Sequence, residues 1–453
     1  MLFRSRHVAA GAYPCHVPGH KQGRGLPREF AGEMARYDLT ELPGLDNLVT
    51  PSGALAESEA LAAELFGTAA CHFTTGGGTS GIIAALLALC PGAKRPLLPH
   101  NAHVSCVYAC VLADLVPIFY KIKVAAGRQL FLAADTADFY RKLSPDIGVA
   151  LVVSPNYHGV LSDVGAMSAA CRGAGVPLVV DEAHGTHLLM SPPLPPSAVF
   201  AGADVVVHSV HKTGVALTGS AWVNVKNRIH VEPLKAALRL VQSTSPSYLQ
   251  LVSLDLARAY LADEGPQRLP GALRVADAIR GLLPVYVPPH AFALDPLRLA
   301  LDALPFGLTG HDLGRSLASH DVAVEMTDLT TAVLVLSPAD DLCVIDSLTA
   351  AAHALKREPG LQMAPPHGAD PFVMGDSFSL TPRSAYLGSC EEVALGLAEG
   401  RIAADAVTLY PPGSPLIWPG QRIESNFIEY INMSLAHGAS ATGLPGGRVR
   451  VVK

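Results

Sequence analysis

The sequence has little of what marks membrane, nucleic-acid-binding or disulfide-rich proteins. Only 16% of its 453 residues are charged, the formal net charge is −6, and Lys and Arg form no cluster. We therefore predict no nucleic-acid partner and no attraction to an anionic membrane surface. No run of consecutive apolar residues approaches the roughly 18 residues that span a bilayer. The eight cysteines are scattered without a CxxC pair, which favours reduced thiols in the cytoplasm over a disulfide framework.

The length and apolar content predict a large folded protein of about two or three domains. With 49% hydrophobic residues, the chain can bury a sizeable core. The N-terminus lacks a sustained apolar segment, so we interpret it as mature sequence. Cys15, His16 and His20 lack the spacing of a metal site, and we predict no metal.

Helical and strand patterns alternate over residues 51–275, which predicts an α/β fold. We expect a mainly parallel central sheet sandwiched by helices in this large domain. An N-terminal arm, residues 1–50, precedes it, and a smaller C-terminal α/β region, residues 276–453, follows it. Within the large domain, Ala54–Phe66 has the apolar periodicity of an amphipathic helix.

Two predicted strands lead into chemically useful side chains. Val205–Val207 precedes Lys212, and Val176–Asp181 ends in a carboxylate. The carboxyl ends of parallel strands meet at one edge of a sheet, so we expect Asp181 and Lys212 to lie together. A desolvated lysine forms a Schiff base with an aldehyde, and a buried carboxylate keeps a pyridine nitrogen protonated. Taken alone, Lys212 could be a surface lysine and Asp181 a helix-capping residue. Taken together, the two residues favour a site for pyridoxal phosphate (PLP).

A glycine run, Gly76–Gly81, is predicted to open a helix over Ile82–Cys90. The run matches the GxGxxG of dinucleotide-binding proteins, but no Asp or Glu follows until Asp114, which leaves the NAD alternative weak. The same loop suits a single phosphate, because it offers backbone N–H groups, the Thr79 and Ser80 hydroxyls and a positive helix end.

Eight ordered blocks, spread over nearly the whole chain, resemble the Orn/Lys/Arg decarboxylases in their shorter form. These are PLP enzymes of fold type I, the aspartate-aminotransferase superfamily. The blocks are HVPGHKQGRG (His16–Gly25), DLTELPGLDNL (Asp38–Leu48), FTTGGGTSG (Phe73–Gly81), SPNYHGVLSD (Ser154–Asp163), VDEAHGTH (Val180–His187), HSVHKT (His208–Thr213), STSPSY (Ser243–Tyr248) and YPPGSPLIWPG (Tyr410–Gly420).

The resemblance implies a cytoplasmic decarboxylase of arginine, lysine or ornithine, acting in polyamine biosynthesis as a homodimer or higher homo-oligomer. The sequence departs from the family pattern at Gly77, where asparagine is common, at Val104, where lysine is frequent, and at Gln421, where glutamate is usual. Two alternatives stay open, because the shape of the pocket selects decarboxylation over other PLP reactions, and the three departures favour the first of them. One is another PLP reaction on an amino acid, by an aminotransferase, lyase or cyclase, and the other is a PLP-binding protein without catalysis.

The resemblance also implies roles for individual residues. Lys212 attaches PLP, Asp181 faces the ring nitrogen, and His103 stacks on the pyridine. Further cofactor contacts are expected from Gly78, Thr79, Ser80, His184, Ser209 and His211 and, across the dimer, from Thr244 and Ser245. Candidate substrate contacts, each with a purely structural role as an open alternative, are Glu41 and Asp46 for the distal cation and Arg383 for the carboxylate.

Overall fold

The protein is represented by a computed structural model that describes most of the chain beyond residue 32. The described residues are 33–42, 44–92, 94–125, 127–128, 130–289, 291–340, 342, 344–355, 377–410 and 413–453. The block His16–Gly25 and much of the predicted N-terminal arm therefore lie outside the described residues. Every described helix is too short or too polar to cross a lipid bilayer.

Helices and strands alternate through the larger part of the described chain. The strands are β1 Ala70–Thr74, β2 Arg95–Pro99, β3 Ile118–Tyr120, β4 Ile122–Val124, β5 Phe131–Ala134, β6 Ile147–Val153, β7 Val160–Leu161, β8 Leu178–Asp181, β9 Val205–His208, β10 Ala221–Val225, β11 Ala293–Leu294, β12 Arg298–Asp302, β13 Met326–Thr327, β14 Thr331–Val335, β15 Cys390–Ala394, β16 Val407–Tyr410, β17 Pro415–Ile417, β18 Ser440–Thr442 and β19 Arg448–Val452. The α-helices are Glu33–Tyr37, Ala54–Phe66, Gly77–Leu89, Ser105–Ala113, Thr136–Lys142, Val164–Ala174, Val210–Thr213, Val231–Val241, Tyr248–Ala262, Glu264–Leu282, Gly310–Ala318, Val344–Ala354, Pro382–Leu387 and Ser425–Ala436.

The central sheet has seven strands in the order β1-β10-β9-β8-β6-β2-β3. Strands β9, β8, β6, β2 and β3 are parallel to one another, and β10 is antiparallel to both of its neighbours. Asp181, the last residue of β8, pairs in register with Val207 of β9. The chain therefore leaves β8 and β9 at the same edge of the sheet, within a few residues of Lys212.

The central sheet is buried on both faces, as expected when helices cover a parallel sheet on both sides. Val206 and Val180 belong to one apolar cluster, and Val207 and Val179 belong to a second. The glycine-rich helix Gly77–Leu89 packs closely on the second face: a Cβ on Gly81 would lie 2.8 Å from the side chain of Val207. Glycine at this position thus allows the helix to approach the sheet.

The later part of the chain adds small antiparallel sheets beside the central one. Strands β12, β14 and β13 form one sheet, β17, β16 and β18 form another, and β15 pairs with β19. Strand β11 pairs with β7, which follows β6 in the chain. Arg298, at the start of β12, contacts His184, which follows β8.

The predicted helix Ala54–Phe66 is confirmed residue for residue. The helix predicted over Ile82–Cys90 instead starts at Gly77 and ends at Leu89. The prediction was wrong at its start because a glycine run normally breaks a helix, whereas tertiary packing on the sheet favours it here. The α/β class with a mainly parallel sheet is confirmed, and the predicted domain boundaries stay a prediction.

Asp46, predicted as a substrate contact, has a structural role in its own chain. Its carboxylate accepts hydrogen bonds from five backbone N–H groups, at 2.8 to 3.2 Å, which belong to Asn47, Ser52, Gly53, Leu55 and Ala56. These bonds fold the loop before the helix Ala54–Phe66 and satisfy N–H groups at the start of that helix. Burial raises the pKa of Asp46, but the backbone hydrogen bonds outweigh this and leave its pKa below the ordinary value.

We predict that Asp46→Ala destabilises the fold, because it leaves buried N–H groups without an acceptor. The expected loss in the free energy of unfolding is about 1 to 2 kcal/mol, the size of a helix N-cap substitution. Urea unfolding followed by circular dichroism measures it. Asp146→Asn, at an exposed position, is the matched control and should leave the midpoint unchanged. Equal midpoints for the two variants would contradict the structural role.

Candidate active site

A cavity of about 330 Å³ opens at the carboxyl-terminal edge of the central sheet. Its volume lies within the range of small-molecule sites, about 300 to 1,000 Å³. The walls come from the ends of β1, β2, β6, β8 and β9 and from the segment after β16. The lining residues are Gly77, Gly78, Thr79, Ile82, Asn101, His103, Ser105, Val153, Tyr157, Asp181, Ala183, His184, Ser209, His211, Lys212, Tyr410, Gly413 and Ser414.

Lys212 and Asp181 both line this cavity, as predicted from the two strand ends. Lys212 lies in the single helical turn Val210–Thr213 that follows β9. Burial lowers the pKa of Lys212, the positive charge of Arg298 lowers it further, and the Asp181 and Glu325 carboxylates act in the opposite direction. A lysine with a lowered pKa has a larger fraction of neutral amine and is a better nucleophile at neutral pH.

The start of the helix Gly77–Leu89 forms one wall of the cavity. Gly77 has a φ of +70°, a left-handed conformation that both glycine and asparagine adopt readily. Glycine can therefore replace the asparagine that is common at this position in the family, and the backbone keeps the same conformation. A Cβ on Gly78 would lie 2.6 Å from the Ser209 hydroxyl, so only glycine lets the helix approach β9 here. The N–H groups of this first turn can receive a phosphate.

Thr79 lines the cavity, but Ser80 does not. The Ser80 hydroxyl donates a hydrogen bond to the Gly76 carbonyl oxygen at 3.2 Å. The Ser80 hydroxyl thus closes the first turn of the helix, and its predicted contact with the cofactor stays a prediction. Ser80 stabilises the loop that carries Gly78 and Thr79.

Ser209 and His211 stand beside the glycine-rich turn. His211 Nδ1 lies 3.1 Å from the Ser220 carbonyl oxygen, which can only accept, so Nδ1 carries the proton and donates it. The Ser209 side chain is buried and lines the cavity. Together with the N–H groups of the first helical turn, these side chains make a polar corner suited to a phosphate.

His103 lies on the wall formed by the segment after β2. Its Nδ1 accepts a hydrogen bond from the Ser105 backbone N–H at 3.2 Å and lies 3.0 Å from the Ser105 hydroxyl. Burial lowers the pKa of His103, the Asp181 carboxylate opposes this, and Lys212 lowers the pKa further. A neutral imidazole held in this way has a flat face available for stacking on an aromatic ring.

His184 connects Lys212 with a residue from the later part of the chain. His184 Nε2 lies 3.0 Å from Lys212 Nζ, and His184 Nδ1 lies 3.2 Å from Arg298 Nη2. Burial lowers the pKa of His184 well below its ordinary value, and the charges of Lys212 and Arg298 add to the effect. Tyr157 packs against His184 with 4.3 Å between ring centroids.

Comparison with known proteins agrees with this geometry. Residues 2–284 match the family described as Orn/Lys/Arg decarboxylase, major domain, and residues 377–447 match the C-terminal domain of that family. An arginine decarboxylase of Bacillus subtilis is 32% identical over 99% of this chain and 96% of its own length. The chain belongs to the Orn/Lys/Arg decarboxylase family.

This chain is also similar to an arginine decarboxylase of Bacillus anthracis, which is 31% identical over 94% of this chain and 91% of its own length. Lysine decarboxylase A from Pseudomonas aeruginosa has a TM-score of 0.85 at 20% identity and covers 100% of this chain and 80% of its own. Constitutive lysine decarboxylase of E. coli has a TM-score of 0.81 at 18% identity, over 99% of this chain and 81% of its own. The predicted family, fold type I and amino-acid decarboxylase class are confirmed.

The residues of the cavity fit PLP, the cofactor of this family. Lys212 can attach the aldehyde, Asp181 can face the pyridine nitrogen, and the turn at Gly78 can hold the phosphate. The close approach of Gly78 to Ser209, which a Cβ would block, keeps the phosphate corner open. Asn101 also has a buried side-chain oxygen without a hydrogen-bond partner among the described residues, so a polar group in this cavity can satisfy it.

Four other predicted residues lie outside the cavity of their own chain. Arg383 is exposed and donates a hydrogen bond to the Leu112 carbonyl oxygen at 2.8 Å, and its role towards a substrate stays a prediction. Glu41 accepts a hydrogen bond from the Thr40 hydroxyl and does not line the cavity. Thr244 and Ser245 are exposed. The predicted contacts of Thr244 and Ser245 with the cofactor of a neighbouring subunit stay predictions, and so does the predicted substrate contact of Glu41.

Sequence reasoning missed several cavity residues. Tyr410 and Ser414 belong to the recognised block YPPGSPLIWPG, in which no site residue was predicted, and the polar members of this block were the available signal. Arg298 and Glu325, which lie close to Lys212, had no such signal, because they belong to none of the eight blocks. A buried arginine close to a cavity lysine becomes visible only from the three-dimensional contacts.

We predict that PLP attaches to Lys212. Incubation with PLP, reduction with borohydride and peptide mass spectrometry should locate the added mass on the peptide that contains Lys212. Lys212→Ala should abolish this modification, because the amine that forms the covalent bond is absent. Lys123→Ala, which removes an exposed lysine, is the matched control and should be modified like the wild type. Trapped PLP on another lysine at equal yield would contradict the assignment.

Proposed function

We propose that this protein is a PLP-dependent arginine decarboxylase. The observation that carries the proposal is the pairing of Lys212 and Asp181 in one cavity, beside the helix start at Gly78. The choice of arginine is supported by the relatives named arginine decarboxylase at 31 to 32% identity. Lysine and ornithine remain the alternative substrates within the same family.

The cavity residues divide the chemistry between them. When bound, PLP supplies an electrophilic aldehyde and an electron sink for the electron pair that departing CO2 leaves behind. Asp181 holds a proton at the pyridine nitrogen, which strengthens that sink. His103, neutral because of its lowered pKa, stacks on the ring. Lys212, His103 or a cavity water returns a proton to the substrate Cα.

A second cavity offers a place for the distal cation of a basic substrate. It has a volume of about 290 Å³ and adjoins the first cavity, because Tyr157 and Tyr410 line both. Glu325 is the carboxylate residue of its lining. Burial and, to a smaller extent, the charge of Glu325 raise the pKa of Tyr157 to about 12. The charge of Glu325 also opposes the lowering of the Lys212 pKa. Because the two cavities adjoin, Glu325 can pair with the far end of a substrate whose amine meets Lys212.

Among the described residues, no hydrogen bond or ion pair to the Glu325 carboxylate is formed, and the residue is exposed. A guanidinium or ammonium group can therefore reach this carboxylate without breaking an existing ion pair. The flanking tyrosine rings suit a cation as well, because an aromatic face attracts positive charge. We propose that Glu325 fulfils the role that the sequence had suggested for Glu41 and Asp46.

We predict that the purified protein with PLP releases CO2 from arginine faster than from lysine or ornithine. Gas release combined with mass spectrometry of the amine product measures the reaction. Lys212→Ala should be inactive, which excludes a contaminating enzyme. Formation of a keto acid without CO2 would instead identify an aminotransferase and would overturn the proposed decarboxylation.

We predict that Glu325→Gln lowers kcat/KM for arginine. The expected loss is about 10- to 100-fold, the size expected for a hydrogen bond to a charged group. Citrulline, which has the shape of arginine without its positive charge, provides the matched substrate, and its slow turnover should not change. Glu232→Gln, at an exposed position, is the control variant. An equal loss for arginine and citrulline would show that Glu325 does not recognise the charge.

We further propose that the enzyme is a cytoplasmic homodimer that acts in polyamine biosynthesis. The exposed positions of Thr244 and Ser245 leave both hydroxyls available to a second copy of the chain. An enzyme that removes the carboxyl group of a basic amino acid produces a polyamine precursor. Light scattering after size-exclusion chromatography tests the dimer directly.

A further inference from the structure

A buried arginine lies behind the PLP lysine without a carboxylate partner. Arg298, at the start of β12, is only 4% exposed. Among the described residues, no carboxylate lies within ion-pair distance of its guanidinium. Its hydrogen-bond partners are His184 Nδ1 at 3.2 Å, the His184 carbonyl oxygen at 3.4 Å and the Tyr157 carbonyl oxygen at 3.4 Å. Burying a guanidinium is costly, so this arrangement calls for a function.

The backbone around Arg298 is adapted to this position. Gly159 has a φ of +79°, and a Cβ there would lie 2.6 Å from the Arg298 Cβ. Glycine at this position therefore allows the arginine stem to pass. The backbone N–H of Arg298 donates to the Asp295 carbonyl oxygen at 3.2 Å. Asp295 Oδ1 lies 2.9 Å from His187 Nε2, and the Asp295 charge, with that of Glu325, partly offsets the lowering of the Arg298 pKa by burial.

The hydrogen bonds determine the tautomer of His184. A guanidinium always donates and never accepts, so His184 Nδ1 must accept from Arg298. A neutral imidazole with its lone pair on Nδ1 carries its proton on Nε2. His184 Nε2 therefore donates towards Lys212 Nζ, 3.0 Å away. A nitrogen that accepts must have a lone pair, which an ammonium group lacks.

We propose that Arg298 is a positioning residue that fixes His184 with its proton on Nε2, and that His184 thereby holds Lys212 as the free amine. This inference rests on the proposed role of Lys212 as the PLP lysine. The free amine is the form that condenses with the aldehyde: its nitrogen bonds to the aldehyde carbon, and one water is released. Arg298 itself touches neither the cofactor nor the substrate in this scheme.

The electrostatic surroundings support the same conclusion. The pKa of His184 is lowered well below its ordinary value by burial and by Lys212 and Arg298, so the ring is neutral at pH 7. Burial also lowers the pKa of Lys212. The charged and titratable groups around Lys212 and His184 are Asp181, Arg298, Glu325, His103, His211 and Tyr157.

The test is the pH dependence of PLP attachment to the protein freed of cofactor. Attachment at saturating PLP is followed by absorbance and by borohydride trapping. In Arg298→Met, His184 can adopt the other tautomer, with its proton on Nδ1, and its Nε2 can then accept a hydrogen bond from a Lys212 ammonium group. The inflection in the plot of attachment rate against pH should therefore move to higher pH. A rise of one pKa unit makes attachment about tenfold slower at pH values below the inflection. At high pH the variant should reach the wild-type rate, which a merely misfolded site does not do.

A double-mutant cycle separates an effect through His184 from a direct effect of the Arg298 charge. In the His184→Phe background, Arg298→Met should shift the inflection less than it does in the wild-type background. Arg298→Lys, which keeps a donor and a positive charge, should recover part of the wild-type profile. An unchanged profile in Arg298→Met, or an equal shift in both backgrounds, would overturn the proposal.

A measurement on the wild-type chain keeps the proposal testable if the variants do not fold. Nitrogen-15 NMR of the histidine rings, assigned by comparison with His184→Phe or with site-specific labelling, should show His184 protonated at Nε2 and unprotonated at Nδ1. The opposite tautomer contradicts the proposal. Neither readout depends on which amino acid is decarboxylated, so a failure of the proposed substrate leaves this test unaffected.

Discussion

The register between β8 and β9 is the constraint on which the rest of the site depends. Asp181 ends β8 opposite Val207 of β9, and the next residues along each strand, Glu182 and His208, pair beneath the cavity. This pair is buried, with 2.8 Å between Glu182 Oε2 and His208 Nε2 and side-chain exposures of 1% and 0%. If the register of one strand shifted by one residue, every side chain of that strand would face the opposite side of the sheet. The buried pair disfavours such a shift, and it therefore fixes which residues reach the cavity.

The Glu182–His208 pair belongs to a polar network that extends across the sheet. The Ser197 hydroxyl and the Ala198 N–H also donate to Glu182, and His208 Nδ1 lies 3.2 Å from the Asn224 amide nitrogen on β10. Buried polar groups that are satisfied in this way favour one arrangement of strands, because any other leaves them unpaired. The network thus holds β8, β9 and β10 together directly below the reactive residues.

The sequence contained the elements of the site that depend on local pattern. The predicted ends of two strands indicated that Asp181 and Lys212 lie together, and the glycine run indicated the phosphate corner. Both predictions rest on local sequence patterns that determine the backbone conformation. The hydrogen bonds that Asp46 and Arg383 form with the backbone could not be predicted, because a charged residue in a sequence does not reveal its partners. Arg298 and Glu325 were missed because their function arises from contacts between distant parts of the chain. The fold class was predictable from alternation, whereas the long-range contacts were not.

The buried guanidinium has a further physical consequence for a PLP site. A phosphate and a substrate carboxylate are both anionic, and nearby negative charge raises the pKa of a lysine. Such a site must therefore bind anions while the lysine remains able to react as an amine. A permanent positive charge at Arg298, acting together with burial, offsets the carboxylates of Asp181 and Glu325 in setting the pKa of Lys212. Because a guanidinium stays protonated at every physiological pH, this contribution does not change when the neighbouring histidines titrate.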